Sequence, residues 1–493
     1  PGGLTMPVDT HHAEYDKALT AWTRARDLVA GEDEVKAKGE TYLPRLPGQT
    51  DTEYAAYKLR AAFFNATGRT VDGLVGLVFR KDPTVVLPAA LSALAEDVDL
   101  AGKTLAEFAR RIVSDVVQVG RGGILVEYPK AEVRDRTADE VTAENLRPYM
   151  TFYPAEKILD WRTGRVNNRH TVTMVKLEET IDEPDPADVW KRKTATQIRV
   201  LELTAAGVQV SVWRKTETGW IAVETFPLII RGQVASEIPF VFVGPVDSTS
   251  EVQKAPIVDL VATNLSHYRT SADYENGLHW TGVPTPVFIG NFISSDGNQV
   301  DTVRLGSASG IHLSDGGDAK YLEFEGSGLE GGLGKALERK EQHMAVLGAR
   351  ILASEKRAVE AAETAAIHRA GENSVLAALA QSVSKAITRA LAGMAAWEGV
   401  DGEISFKLCT DYLPTPMDSQ TLAALVGAWQ AGALSQGELF EALVAGEIIR
   451  SDKDQAEHES EVEAESERRA EEAAEKLAAT AKMVAARAAG GAA

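Results

Sequence analysis

The stretch PIVDLVATNLSHYRTSADYENGLHW (256–280), together with the two segments after it in the chain, decides the fold. Five apolar residues of this stretch recur at helical spacing: Ile257, Val261, Leu265, Tyr268 and Ala272. They predict one helix of roughly 40 Å, at ~1.5 Å per residue. A Gly- and Pro-rich segment (282–327) reads as a small strand-and-turn module. After it, GLEGGLGKALERKEQHMAVLGARIL (328–352) predicts a second helix.

A third, longer helix is predicted from about Ala361 to Trp397, because apolar residues recur there every three or four positions. Upstream, Thr50 with Glu53 and Thr104 with Glu107 have the spacing of capping boxes. The first box predicts a helix that continues to about Val78. The second predicts a helix that ends near Gly120, before the buried strand GILVEYP (123–129).

The middle of the chain (148–245) changes to β-branched and aromatic segments separated by turn residues, which predicts an antiparallel sheet. Within it, DEPDPADVW (182–190) reads as an acidic, Pro-bearing loop. Near the C-terminus, two short helices are predicted, the second capped by Ser435 and Glu438. The acidic composition of 452–476 is compatible with a solvated helix or with disorder, and a helix is expected near 452–488 because Ala, Glu, Lys and Arg dominate. The whole pattern predicts an α+β fold.

Composition excludes several classes of protein. The chain has 493 residues, a net charge of −20 and one cysteine, Cys409. Intrachain disulfides are therefore excluded, and a broad nucleic-acid-binding surface is not expected from so acidic a chain. No apolar run is long enough to span a membrane, and PGGLTMPVDTHH (1–12) lacks the pattern of a secretory signal.

No enzymatic motif is complete. GSGLEG (326–331) has the spacing of a dinucleotide fingerprint, but no β-α-β unit comes after it, which favours a Gly-rich turn. His11 and His12 with Glu14 and Asp16 could bind a metal ion, although a solvated helix face explains them more simply. Neither a paired-cysteine site nor a zinc-protease motif is present. The sequence therefore predicts no enzyme, no cofactor and no metal.

The order of elements in 148–400 resembles the bacteriophage portal proteins, the head-to-tail connectors of tailed phages. Four stretches are similar to a portal subgroup long catalogued as a domain of unknown function. They are YLPRLPGQTDTEYAAYKLRAAFFNATGRTVDGLVGLVFRKDP (42–83), NLSHYRTSADYENGL (264–278), KRAVEAAETAAIHRAGENS (356–374) and PMDSQTLAALVGAWQAGALSQGELFEAL (416–442).

The resemblance implies a portal fold with a β-rich wing, a two-helix stem, a small clip, a long kinked wing helix and a helical crown. Its segments would be N-terminal helices and wing (1–250), first stem helix (251–281), clip (282–327), second stem helix (328–352), tunnel loop (353–361), returning helix (362–412), and crown with tail (413–493).

The resemblance also implies a function and partners. The chain would form a ring of 12 subunits at one capsid vertex, a channel for packaging and ejecting double-stranded DNA. It would meet the major capsid protein and scaffold, dock terminase and then a head-tail adaptor, and assemble in the host bacterial cytoplasm without a membrane. DNA contacts would come from basic residues near the constriction: Lys335, Arg339, Lys340, Arg350, Lys356 and Arg357.

One alternative for the basic residues and three for the function stay open at this point. The basic residues could instead be helix-surface charges paired with Glu338, Glu341, Glu355 and Glu360. The chain could be another virion structural protein, such as a minor capsid or head-completion protein. A nucleotide-dependent enzyme would require a parallel sheet, and a coiled-coil scaffold would not explain the strand-rich middle.

Overall fold

A computed structural model gives the architecture. It describes residues 7–129, 137–185, 188–217, 219–281, 285–293, 312–322, 329–352, 374–412, 419–446, 448–449, 455–458, 460–464 and 468. The chain divides into two compact units, Pro1–Thr410 and Asp411–Ala493. Every strand pairing among the described residues is antiparallel, and helices supply the other layers. The predicted α+β class is confirmed.

The helices of the first unit are α1 (Ala13–Ala30), α2 (Glu32–Ala37), α3 (Asp51–Arg60), α4 (Ala66–Val78), α5 (Ala89–Ser92), α6 (Leu105–Val119), α7 (Ala138–Ala143), α8 (Val258–Thr281), α9 (Lys335–Leu352) and α10 (Val375–Glu398). Short 3₁₀ turns lie at Gly39–Thr41, Ala93–Ala95 and Ala155–Lys157, and a π-helical segment, Leu329–Gly334, precedes α9.

The strands are β1 (Thr84–Val86), β2 (Gly122–Glu127), β3 (Tyr149–Pro154), β4 (Ile158–Val166), β5 (Arg169–Asp185), β6 (Asp188–Thr204), β7 (Gly207–Thr216), β8 (Gly219–Pro227), β9 (Ile229–Ile230), β10 (Gln233–Val234), β11 (Phe240–Val243), β12 (Thr285–Ile289), β13 (Asp318–Leu322) and β14 (Ser405–Lys407).

Two predicted capping boxes set the N-termini of α3 and α6. Thr50 and Thr104 each accept a hydrogen bond from the backbone N–H of the glutamate three residues on, and that glutamate bonds back. These reciprocal bonds satisfy backbone donors that the first turn of a helix leaves unpaired. Gly120 ends α6 in the left-handed conformation, at φ 72°. Both predictions are confirmed.

The prediction of one helix from Tyr54 to Val78 is wrong. Ala61 leaves the helical conformation, and the extended residues 61–65 separate α3 from α4. Asn65 starts the second helix, because its side chain accepts a hydrogen bond from the N–H of Gly68. The break exposes the Phe64 carbonyl, which accepts a hydrogen bond from Asn264 of α8. A side chain distant in the sequence therefore bonds to the backbone carbonyl at the helix break, and the apolar periodicity of the sequence does not reveal that break.

The β-rich middle contributes to two larger sheets where one sheet was expected, and β9 and β10 pair separately as a two-stranded sheet. One sheet has the order β11-β2-β3, and the other runs β4-β5-β6-β7-β8. A continuous apolar core lies where they meet: Leu125, Phe240 and Phe242 of the smaller sheet pack in one cluster with Val175, Ile198 and Val210 of the larger. The predicted strands at 149–154 and 239–244 belong to the smaller sheet.

The prediction of a loop over DEPDPADVW (182–190) is wrong for its described residues. β5 continues to Asp185 and β6 begins at Asp188, with Pro184 opposite Arg192. Proline is tolerated there because β4 pairs with β5 only as far as Leu177, so no described residue pairs with the other edge of the strand and needs the missing N–H. The register shifts just after Pro184.

The core of the first unit centres on α10. Its predicted apolar positions from Leu376 to Met394 are buried, and the helix packs against α6, β2, β11 and β14. One prediction fails here. The helix does not run unbroken from Ala361, because Ser374 is extended and its side chain accepts a hydrogen bond from the N–H of Ala377, starting a new helix. Residues 353–373 lie outside the described part.

The second unit contains α11 (Ser419–Gln430) and α12 (Gln436–Ala445). The predicted capping box of Ser435 and Glu438 starts α12. In the acidic tail, the described residues 455–458 and 460–464 are helical, as predicted. The rest of the tail lies outside the described residues.

Candidate functional site

Helices α8 and α9 lie side by side and run in opposite directions. At one end, Leu260 of α8 is in an apolar cluster with Met344 of α9 and Ala66. At the other end, Gly277 lies against Leu329: a Cβ on Gly277 would fall 2.4 Å from Cδ2 of Leu329, so a larger residue would require that side chain to move. Residues later in α8 therefore contact residues earlier in the second segment, so the two helices are antiparallel. We call these two helices the stem pair.

Polar contacts fix the register of the stem pair. The ammonium of Lys340 donates to the Ser266 carbonyl at 3.0 Å and to Thr270 Oγ1 at 2.5 Å. Burial lowers the pKa of Lys340. At the next residue of each helix, His267 Nε2 lies 3.3 Å from Oε1 of Glu341. Burial lowers the pKa of His267, and the hydrogen bond to Glu341 offsets part of that effect.

Helix α8 is also anchored to the N-terminal helices. Asn264 is fully buried; its Oδ1 accepts from the N–H and the hydroxyl of Thr67, and its Nδ2 donates to the Phe64 carbonyl. Farther along, Tyr57 donates to Asp273 at 2.6 Å. Because a buried amide needs its partners, these bonds define where α8 sits on the N-terminal helices.

A small β-module follows α8 in the chain and precedes α9. Strands β12 and β13 pair from Thr285–Leu322 to Ile289–Asp318, and an isolated bridge joins Phe292 to Leu313. Phe288 and Phe292 make an edge-to-face contact with centroids 5.2 Å apart. These described residues agree with the strand-and-turn module predicted over 282–327. Residues 294–311 and 323–328 lie outside the described part.

Three of the six predicted basic residues have described side chains, and their roles differ. Lys335 and Arg339 are exposed on α9, and within the described residues neither forms an ion pair. With Gly331, Gly332 and His343 they line an open groove of about 490 Å³. Lys340 contributes to that groove too, but its ammonium is held by α8.

The remaining three candidates are less defined. Arg350 lies in the last turn of α9, and Lys356 and Arg357 fall outside the described residues. The predicted pairing with acidic neighbours does not occur at Glu341, which contacts His267. The structure therefore brings together Lys335, Arg339 and Lys340, and among described side chains the cationic groups of Lys335 and Arg339 have no ion-pair partner.

The other sequence candidates have structural roles. His12 accepts a hydrogen bond from the N–H of Glu14 as the cap of α1, and its ring stacks on Trp161 at 4.0 Å. His11 bonds to Asp16. No cluster of three metal-ligating side chains occurs in the part of the chain that is described. Of GSGLEG, only the last three residues are described, in the π-helical segment. Cys409 is partly buried.

Sequence reasoning missed a charged network where the two sheets meet. Arg199 of β6 bridges the carboxylates of Glu127 on β2 and Glu179 on β5, and Tyr153 donates to Glu179 at 2.6 Å. Burial raises the pKa of Glu127, and the nearby Arg199 counteracts part of that shift. Period-2 alternation marks these residues only as strand positions, so no sequence signal identified the network.

No helix among the described residues is both long and apolar enough to cross a lipid bilayer.

Residues 256–398 match a protein-family model described as "Domain of unknown function (DUF4055)". The match spans α8, the β-module, α9 and α10. It confirms, for these residues, the predicted similarity to a family catalogued as a domain of unknown function. The similar stretches at 42–83 and 416–442 lie outside the matched range.

Comparison with solved structures gives two necks of GTA particles. The neck of a native particle, computed with C12 symmetry, aligns with a TM-score of 0.38 and 14% identity over 78% of this chain and 91% of that chain. The neck of an empty particle, computed with C6 symmetry, gives 0.38 and 15% over 83% and 96%. Scores this low support no conclusion about fold or function. No curated protein matches the chain.

Proposed function

We propose that this chain is a phage portal protein. Twelve copies would form a ring at one vertex of the capsid, in the virion, and the ring would serve as a channel for viral DNA packaging and ejection. Assembly would take place in the host bacterial cytoplasm. The chain would act as a structural protein, without a catalytic site or cofactor.

One observation carries the proposal: the stem pair with its β-module. Helix α8 packs against the N-terminal helices, and the small β-module follows it in the chain. Helix α9 comes next and packs antiparallel to α8. The sequence resemblance implies this order for the stem and clip of portal proteins, and the family match covers the same residues. A minor capsid or head-completion protein would share the location but would not need this arrangement.

Charge supports a conduit that does not hold DNA tightly. A net charge of −20 per chain becomes roughly −240 over 12 copies, which repels phosphate from most of the wall. Sparse cations would then provide the DNA contacts, and Lys335 and Arg339 are the described candidates with free groups. Lys356 and Arg357, on the proposed tunnel loop, complete the set.

Partners can be assigned to the proposed segments. The β-module region (282–327) would dock terminase during filling and a head-tail adaptor afterwards. The β-rich middle would contact the major capsid protein and scaffold, and the second unit would face the capsid interior as the crown. Double-stranded DNA passes through the channel, and no membrane is involved.

Particle mass and symmetry test the ring. Native mass spectrometry with class-averaged electron microscopy of the purified chain should give a closed ring near 12 subunits with a central hole. An open chain or small aggregates without a hole, even after scaffold is added, would contradict the proposal and favour the minor-capsid alternative.

Neutralising the cations tests the channel. Lys356→Gln with Arg357→Gln, and separately Lys335→Gln with Arg339→Gln, should leave ring assembly intact and change the length or retention of packaged DNA. Lys17→Gln with Lys254→Gln is the matched control, because both residues are exposed on other helices or loops. Unchanged packaging and leakage in both test variants would rule out these contacts.

A further inference from the structure

The hairpin of β5 and β6 extends past the rest of its sheet. β4 accompanies β5 only to Leu177, and β7 accompanies β6 only from Gln197 onward. Beyond those points the two strands pair solely with each other, as far as Asp185 and Asp188. The extension is about 27 Å at ~3.4 Å per residue. We call its described outer part, residues 182–185 and 188–194, the arm.

Both outer edges of the arm are open among the described residues. A two-stranded ribbon is marginally stable by itself, and open edges invite pairing with another strand. Trp190 lies in the arm with 94% of its surface exposed, more than any other large hydrophobic side chain described. Exposed tryptophans of this kind are common anchors of protein interfaces.

The two strands of the arm carry opposite charge. The β5 segment 182–185 reads DEPD, with three acidic residues and no basic one. The β6 segment 188–194 reads DVWKRKT, and its Lys191, Arg192 and Lys193 are exposed. Its one acidic residue, Asp188, lies 3.6 Å from Lys191, so the segment as a whole is basic. This basic run stands out in a chain of net charge −20. Each arm therefore offers one acidic edge and one basic edge.

We propose that the arm binds the arm of a second copy of this chain, acidic edge to basic edge. Like edges repel each other, so pairing β5 with β5 or β6 with β6 is disfavoured, whereas β5 beside β6 of the next copy is attractive. That contact is heterologous, and it generates a ring when the rotation between neighbouring copies closes, as the proposed portal requires. The inference rests on the proposed function and adds an interface that determines the direction of assembly.

Rotational symmetry also predicts the register. Neighbouring arms in a ring point the same way, so β5 of one copy lies antiparallel to β6 of the next. Residues at the same distance from the tip of the arm then face each other, so position 182 of one copy lies beside position 194 of its neighbour. Within one arm these two positions are paired as well.

Charge reversal tests the pairing in the full-length chain. Reversing the basic edge (Lys191→Glu, Arg192→Glu, Lys193→Glu) or the acidic edge (Asp182→Lys, Glu183→Lys, Asp185→Lys) should raise the protein concentration needed for half-assembly at least tenfold. In the variant that carries all six substitutions, the protein concentration needed for half-assembly should return to within threefold of the value for the unaltered chain. Lys17→Glu, Arg169→Glu and Lys254→Glu together control for the change in net charge.

Disulfide cross-linking tests the register and separates the two proposals. One tagged chain carries Cys409→Ser and Asp182→Cys, and a second carries Cys409→Ser and Thr194→Cys, so neither can form an intrachain bond. Oxidised mixtures should give covalent heterodimers, because paired strands bring Cα atoms within disulfide range. A mixture of the Asp182→Cys chain with a Lys17→Cys chain should give none.

The outcomes are distinct. Closed rings that form normally in the single-edge variants and give no heterodimer would overturn the arm proposal and leave the portal proposal standing. Heterodimers in open or linear assemblies would support the arm and contradict the portal proposal. A chain that remains monomeric at all concentrations would overturn both.

Discussion

Two helix pairs in the first unit are held together by different chemistry. Helices α6 and α10 pack against each other, and both carry fully buried apolar residues, among them Ile112, Val116, Leu379 and Val383. In the stem pair, Met344 is the one buried hydrophobic residue among the described side chains of α9, and Lys340 and Glu341 make the specific contacts. The apolar pair resists separation along its whole length, whereas the stem pair depends on a few positions.

The difference predicts unequal local stability. A pair with few buried apolar contacts opens at a lower free energy than the global core. The same feature explains why α9 can expose Lys335 and Arg339 while remaining in register with α8. Substitutions in the two regions should therefore differ in how much they lower the free energy of unfolding and in how far along the chain they accelerate hydrogen exchange.

The largest effect is expected in the apolar pair. Leu379→Ala removes a fully buried side chain and should lower the free energy of unfolding by about 2–5 kcal/mol, because a cavity remains where the side chain packed. Urea denaturation followed by circular dichroism measures the loss. Leu59→Ala, at a site that is 78% exposed, should change it by less than about 0.5 kcal/mol. Equal losses at both sites would refute the comparison.

The next effect is expected where α8 meets the N-terminal helices. Asn264→Ala leaves the Thr67 N–H and the Phe64 carbonyl without their partner, so stability should fall by about 1–3 kcal/mol. Thr263→Ala is the control, since its hydroxyl bonds only to the preceding turn of α8. If Asn264→Ala were no worse than the control, the proposed anchoring of α8 would be wrong.

A smaller and more local effect is expected inside the stem pair. Lys340→Met removes the bonds to Ser266 and Thr270 and should cost about 1 kcal/mol. Hydrogen exchange should accelerate in α9 and leave α10 unchanged. The neighbouring exposed Arg339→Met should leave both helices as they are. Uniform acceleration across α9 and α10 would show that the two pairs do not open independently.

The smallest effect is a dependence on pH. Burial holds the pKa of His267 below its ordinary 6.5, so the folded state binds a proton less readily than the unfolded state. The stem pair is therefore fully stabilised above about pH 6.5 and loses stability as the pH falls through the lowered folded-state pKa. Exchange in α9, corrected for the intrinsic rate, should rise between pH 7.5 and 5.5. His267→Gln should flatten that rise, and an unchanged slope would exclude His267 as its source.

The sequence predicted features that local patterns determine. Capping boxes placed the starts of α3, α6 and α12, and the apolar stripe of α8 identified its buried face. The predictions from the sequence were wrong where contacts with distant residues determine the backbone conformation. The interruption between α3 and α4 is completed by Asn264, two hundred residues from Phe64. Strand β5 continues through Pro184 because no strand in the described part of the chain pairs with its outer edge there.

The candidate site was predictable only in part. Basic residues on α9 are visible in the sequence, yet Lys335, Arg339 and Lys340 look alike there. Only the antiparallel packing of α8 separates Lys340, which bonds to Ser266 and Thr270, from its exposed neighbours. The charged network around Arg199 escaped notice because it joins strands from two sheets that the sequence did not distinguish.

Electron cryo-microscopy of the assembled particle tests the central claim most directly. We predict a closed ring near 12 subunits in which α8 and α9 of every copy surround the central hole, with Lys335 and Arg339 accessible from it. A ring that places the stem pair on its outer rim, or a particle without a central hole, would contradict this prediction.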